Sequence, residues 1–151
     1  MTASPTLNAR IIETLYTEAL GLSDMVRAAF DLSELPAGRG EDAARVALSC
    51  EALRTTTRMM HAVAWLLNHR AFLMGELSAF QLRRHGALAA DPLAADPERL
   101  ALLAAPLQAL IAQTQDFYAR LLRLDTDWRD QDDTPPRGAL RLHERLYRAA
   151  S

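Results

Sequence analysis

The stretch EALRTTTRMMHAVAWLLNHRAFLMGE, residues 51–76, decides how the chain folds. It is long, lacks proline and closes on one glycine, which predicts a helix. On a wheel of about 100° per residue, Val46, Leu53, Met60, Val63, Ala64, Leu67, Ala71 and Met74 fall on one side. Leu48, Met59, Leu66, Leu73 and Leu77 lie roughly a quarter-turn round. Together they form an apolar arc about half the circumference wide, broader than the stripe of a helix packed on one neighbour. Such an arc predicts a helix wedged between two others. The remaining face carries Arg54, Arg58, His61, Trp65, Asn68 and Phe72 at alternating spacings of four and three. This second stripe is polar with two aromatics. Arg and Trp are enriched where interfaces concentrate their binding energy, so the stripe predicts a protein-interface surface. The blander expectations are cover by the 78–96 segment or the C-terminal tail, and a solvated ion-pair face for Glu51, Arg54, Thr55 and Arg58.

Working outward, the acidic pair Glu41-Asp42 suits the start of this helix, and a helix over roughly 41–77 is expected. Before it, Ile12, Leu15, Ala19, Leu22, Val26 and Ala29 repeat at threes and fours, predicting a first helix over about 7–32 with a bundle-type seam. Gly21 inside it implies either a close helix approach or a bend, and the close approach is favoured. Pro36, Gly38 and Gly40 mark a loop. Beyond the central stretch, Ser78 and Gln81 form a weak capping box for a short helix over 79–85; alternatively the long helix bends at Gly75 and continues, and Gly86 ends either version. Asp96-Pro97-Glu98 signals another helix start, which Pro106 should end or kink. The third long helix then carries Leu107, Leu110, Thr114, Phe117, Leu121, Leu124 and Trp128, widened by Ile111, Tyr118 and Leu122. Thr134-Pro135-Pro136-Arg137-Gly138 breaks it. Three apolar seams, joined by two ragged connections, define the bundle. The expected architecture is therefore all-α: an antiparallel three-helix bundle over 1–130 with a short extra helical segment, and a Pro-broken, Arg-rich, mobile C-terminal tail over 131–151.

Composition narrows the function. The chain has 151 residues, half of them hydrophobic but only 6% aromatic. That supports one domain with an aliphatic core. Every basic residue beyond the four histidines is Arg, which removes Schiff-base lysine chemistry. A net charge of −2 disfavours nucleic acid as the main partner. The single Cys50 allows no internal disulfide and fits a reducing compartment. No apolar run has membrane-span length and the N-terminus shows no signal-peptide core, so a cytoplasmic protein is expected.

Catalytic patterns fail one by one. No Glu-x-x-His pair exists for a di-iron bundle, since Arg54 follows Glu51 at that spacing and Ala79 follows Glu76. His143-Glu144 ends on Tyr147 where a zinc peptidase needs histidine. Cys50 and His61 stand three turns apart without a third member. His61 and His69 lie about 80° off a common face, so surface histidines are the expectation. Gly38-Arg39-Gly40 follows no strand. No enzyme activity, metal or cofactor is expected. The aspartates of 125–133 read as a solvated run or as an attraction for a basic surface.

One resemblance rests on the central stretch. Glu51-Ala52-Leu53-Arg54-Thr55-Thr56-Thr57-Arg58-Met59-Met60, then Ala64-Trp65-Leu66-Leu67, Arg70-Ala71 and Gly75-Glu76, resembles the signature of the alphaproteobacterial regulator of CtrA degradation (RcdA) family. Weaker similarity extends to the first helix and to Pro106 through Asp125, not to the 86–105 connection or the last twenty-odd residues. The resemblance implies a dimeric three-helix bundle without enzyme activity. It implies an adaptor of the ClpXP protease in cell-cycle control, working with a response-regulator-type co-adaptor to deliver cargo such as transcription factors. The alternative expectation is a cell-cycle interaction protein that touches DNA weakly through tail arginines 137–148 and has no protease role.

Overall fold

Asn8 accepts a hydrogen bond from the backbone N–H of Ile11 and so starts the first helix, as a short polar side chain before an apolar repeat does. In the computed structural model, which describes residues 7–31, 42–91, 96–133, 146 and 148–149, that helix is α1, Ala9–Asp31. It is followed by α2, Asp42–Leu73, α3, Ala79–His85, α4, Pro97–Leu100, and α5, Ala105–Asp133. The described residues are helix and connecting segments, with no strand among them. Expectations for the 36–40 loop and for most of the 134–151 tail lie outside the described residues. α5 continues past 130 to Asp133.

The capping signals read from the sequence hold in detail. Ser78 and Gln81 exchange reciprocal side-chain-to-backbone bonds at 3.1 and 2.9 Å. Asp96 accepts from Glu98 N–H, with Pro97 in the first helical position. α2 ends where Gly75 takes φ +80° and Glu76 N–H reaches back to Ala71 O at 2.9 Å. This is the left-handed glycine stop of a helix C-terminus. α4 is shorter than expected, closing at Leu100 before Pro106 enters the first turn of α5.

The seams of α1 and α5 pack as their spacing dictates. Ile12, Leu15, Ala19, Leu22 and Val26 are buried against α2 and α5, and Leu107, Leu110, Thr114, Phe117 and Leu121 are buried from the other side. Gly21 departs from expectation. It is exposed, and a Cβ built there would meet nothing within 4 Å, so no helix approaches it.

The directions of the helices differ from the antiparallel expectation. Glu13 pairs with Arg70 at one end and Phe30 packs near Ala47 and Leu48 at the other, so α1 and α2 are antiparallel. Glu18 pairs with Arg120, and Phe30 packs by Leu103 and Leu107, so α1 and α5 are antiparallel too. Yet Arg58 meets Thr114 and Trp65 meets Asp125, so α2 and α5 run in the same direction. The chain returns through a crossover. Arg83 O bonds Arg129, Leu88 N–H bonds Asp125, Tyr118 donates to Ala89 O and Asp91 pairs with Arg58. Leu100 and Leu103 then join Ala47 near the start of α2. As residue numbers rise through the connection, the α5 residues met fall from 129 to 118. A strap therefore runs back along α2 and α5, as bundles with long connections allow.

Candidate functional site

The two faces of α2 are exchanged relative to the wheel. Its buried residues are Ala47, Glu51, Thr55, Arg58, Met59, Ala62, Trp65, Leu66 and His69. Of the apolar arc only Met59 and Leu66 are buried, while Val46, Leu53, Met60, Leu67, Leu73 and Met74 are exposed. The expected interface stripe is divided by this. Arg58 and Trp65 lie inside the fold, Arg54, Asn68 and Phe72 are half-buried, and His61 is exposed.

The buried polar residues find partners on the strap and α5, and that explains the exchange. Arg58 donates through Nε to Asp91 at 2.8 Å and through Nη1 to Thr114 Oγ1 at 3.1 Å. Trp65 Nε1 donates to Asp125 Oδ1 at 3.0 Å. The other oxygen of Asp125 accepts from Leu88 N–H at 3.3 Å and from Arg129 Nε at 3.1 Å. Buried polar groups tied in this way cost little, whereas unmet ones cost 1–3 kcal/mol or so each. Small Ala47, Thr55 and Ala62 let α2 approach its neighbours closely. The stripe is thus cover for, and a cradle of, the crossover.

His69, expected at the surface, is 1% exposed. Its ring stacks obliquely on Trp65 at 4.2 Å and meets the edge of Trp128 at 5.2 Å. Burial pushes its pKa down to about 4; Asp125 pulls the other way and Arg129 adds to the depression. Among the described residues its buried Nε2 meets no hydrogen-bond partner, and neither do Glu51 Oε2, Thr55 Oγ1 and Arg129 Nη2. Tyr118 is shifted the other way, upward, by burial first and by Asp91 second.

Two of the concave features among the described residues bear on function. A small one of about 260 Å³ is lined by Cys50, Arg54, Arg58, His61, Asp91 and Tyr118, among others. Its two guanidinium groups are already matched, Arg58 by Asp91 and Arg54 by Glu51 at 3.2 Å. Cys50 and His61 stand about 16 Å apart along the helix axis, beyond any nucleophile–base contact. Among the described residues no group of three or more His, Cys, Asp or Glu could hold a metal ion.

The larger feature is a groove of about 830 Å³ between α1 and α2, which wheel arithmetic alone assigned to the core. Leu20, Val26 and Phe30 form one wall, and Leu53, Met60, Val63 and Leu67 the other. An ion pair between Asp24 and Arg27 at 3.0 Å lies on its rim. Exposed apolar surface rimmed by charge is the physical mark of a protein-docking site. No sequence periodicity distinguishes it from core; only the burial of the opposite face does.

No helix among the described residues is long and apolar enough to cross a membrane. No curated protein matches the chain. No solved structure matches it either. A family model described as "Protein of unknown function (DUF1465)" matches residues 3–150. The match spans nearly the whole chain, and the protein belongs to that family.

Proposed function

We propose that this protein is a non-catalytic, cytoplasmic protease adaptor that helps deliver cargo such as transcription regulators to ClpXP. On this reading its three long helices make a three-helix bundle with one crossover, and its partners are a second copy, the protease, a response-regulator-type co-adaptor and cargo. The resemblance of residues 51–76 to the RcdA signature supports the adaptor role. The observation that carries a protein-binding role is the α1/α2 groove, which is lined by exposed Leu20, Leu53, Met60 and Leu67. Unbranched, polarizable methionine suits surfaces that accept partner side chains.

The test is reconstituted degradation by purified ClpXP with the receiver-domain co-adaptor and a transcription-factor cargo. Adding this protein should raise the cargo degradation rate several-fold. Leu53→Asp should remove the gain without lowering the melting temperature, because Leu53 is exposed. Unchanged degradation in the presence of the wild-type protein overturns the proposal.

A further inference from the structure

On the side of α2 that faces the strap, the small hollow of about 260 Å³ does not stand alone. Cys50, Arg58 and His61 line it. His61 also lines a second hollow of about 230 Å³, together with Asn68, His85 and Ala87. Asn68 and His85 in turn line a third of about 190 Å³, with Leu77 and Gln81. The shared walls make the three one furrow from Cys50 to Leu77, about 40 Å long at 1.5 Å per residue of α2. One wall is the polar stripe of Arg54, Arg58, His61, Trp65 and Asn68, and the other is the strap over 85–91.

The strap wall is bare backbone. Residues 86–91 are not helical; Gly86 and Leu88 are buried, while Ala87, Ala89 and Ala90 are exposed. Leu88 N–H and Ala89 O are engaged by α5. The N–H groups of Ala87 and Ala89 meet no partner among the described residues. Across the furrow the half-buried amide of Asn68 meets none either. Side chains as small as alanine let another main chain approach, and that main chain offers an N–H and a C=O at every residue. About twelve extended residues at 3.3 Å each cover the furrow. A helix, about 10–12 Å across, is too thick for hollows of this size.

Charge divides the furrow into two halves. In the first hollow Arg58 is paired with Asp91 and Arg54 with Glu51, and Leu53 and Tyr118 are among its walls. A neutral, largely apolar hollow seats an uncharged side chain. Among the described residues no carboxylate lines the second or third hollow. His61 and His85 line them, and Arg84 stands beside His85 in the last turn of α3. None of these three has an ion-pair partner among the described residues. We propose that the furrow binds an extended peptide of another protein, with an apolar side chain in the first hollow and acidic residues beside His61, His85 and Arg84. Complementary charge of this kind selects the partner and its direction. The chain's own tail has the wrong sign, with Arg137, Arg141, Arg145 and Arg148 against Glu144.

The test is selection of random twelve-residue peptides displayed on phage against the immobilised full chain, with counter-selection on Thr57→Trp, which fills the first hollow from an exposed position. Selected peptides should carry a large apolar residue in one half and Asp or Glu in the other. The most enriched one, made synthetically, should bind at micromolar concentration in fluorescence anisotropy. At saturation it should slow maleimide labelling of Cys50, the chain's single cysteine, at least fivefold. Thr57→Trp and Asn68→Ala should each weaken binding at least tenfold and Arg84→Glu at least fivefold. Their circular dichroism melts should stay unchanged, because Thr57 and Arg84 are exposed and Asn68 has no bond to lose among the described residues. Met60→Asp, in the α1/α2 groove, should leave binding as it is. No enrichment over the counter-selection, unchanged Cys50 labelling at saturation, or loss of binding in Met60→Asp alone would overturn the furrow as the site. Arg-rich selected peptides, or tighter binding of a synthetic peptide of residues 134–151, would overturn the acidic partner. Binding here is read without the protease and on a different side of α2 from the groove, so the adaptor role stands or falls separately.

Discussion

The indole of Trp65 does two things at once. It fills the core at 2% exposure, and its N–H holds Asp125, the carboxylate that in turn holds the backbone of Leu88. Trp65→Phe keeps much of the volume and removes the donor. It should cost about 2 kcal/mol, read as a lower urea midpoint. Trp65→Ala adds a cavity and should cost about 4 kcal/mol. The neighbouring His69 gives the fold a pH dependence. Its pKa is about 4 folded against 6.5 for a free histidine. Between those values the unfolded chain binds a proton that the folded chain refuses, so stability falls as pH drops from about 6.5 and the loss levels off near 4, with a ceiling of about 3 kcal/mol. In His69→Gln that contribution vanishes. Its stability should therefore fall less steeply than the wild type's over this window, by up to about 1.4 kcal/mol per pH unit. Equal slopes in urea titrations at pH 6 and 4.5 would show that His69 does not titrate this way.

At the scale of elements, helix ends and interiors behave as their residues dictate. Gly21 sits within α1, exposed, with open space where a Cβ would go. Gly21→Ala should therefore stabilise the protein by about 1 kcal/mol, since alanine loses less backbone entropy in a helix. Gly75 also has open space around it, but at φ +80°. Gly75→Ala should destabilise by about 1 kcal/mol or more, because the left-handed region is strained for any residue with a Cβ. The two substitutions are the same chemical change, and opposite shifts in thermal midpoint are the check. The caps of α3 and α4 and the seams of α1 and α5 were legible because each depends on residues a few positions apart. The orientation of α2 was not. It carries apolar residues on most of one half and polar ones on the other, and simple hydrophobicity chose the wrong half to bury. Arg58, Trp65 and His69 are buried because Asp91, Thr114, Asp125 and Trp128 await them, and those partners come from segments 30 to 60 residues away in sequence.

At the scale of the whole molecule, the crossover is held by few, specific bonds, and Arg58 joins three parts of the chain. Arg58→Ala leaves Asp91 and Thr114 without their guanidinium partner and should cost about 3 kcal/mol. Amide exchange should quicken first over residues 86–91, before the rest of the fold, if Arg58 ties down the strap. Uniform loss of protection would mean it supports the core as a whole. The sequence alone determined that the protein is all-α, where its long helices lie, how α2 stops and how α3 and α4 start, and which faces of α1 and α5 are core. These follow from local spacing and from the conformational limits of single residues. Tertiary structure alone decided that α2 and α5 run in parallel, that the polar stripe of Arg58 and Trp65 is a cradle for the returning chain, and that an apolar strip is left on the outside. The reason is physical: whether a polar side chain is buried depends on whether a partner reaches it, and that is set by where the chain returns, not by the spacing of residues along one helix.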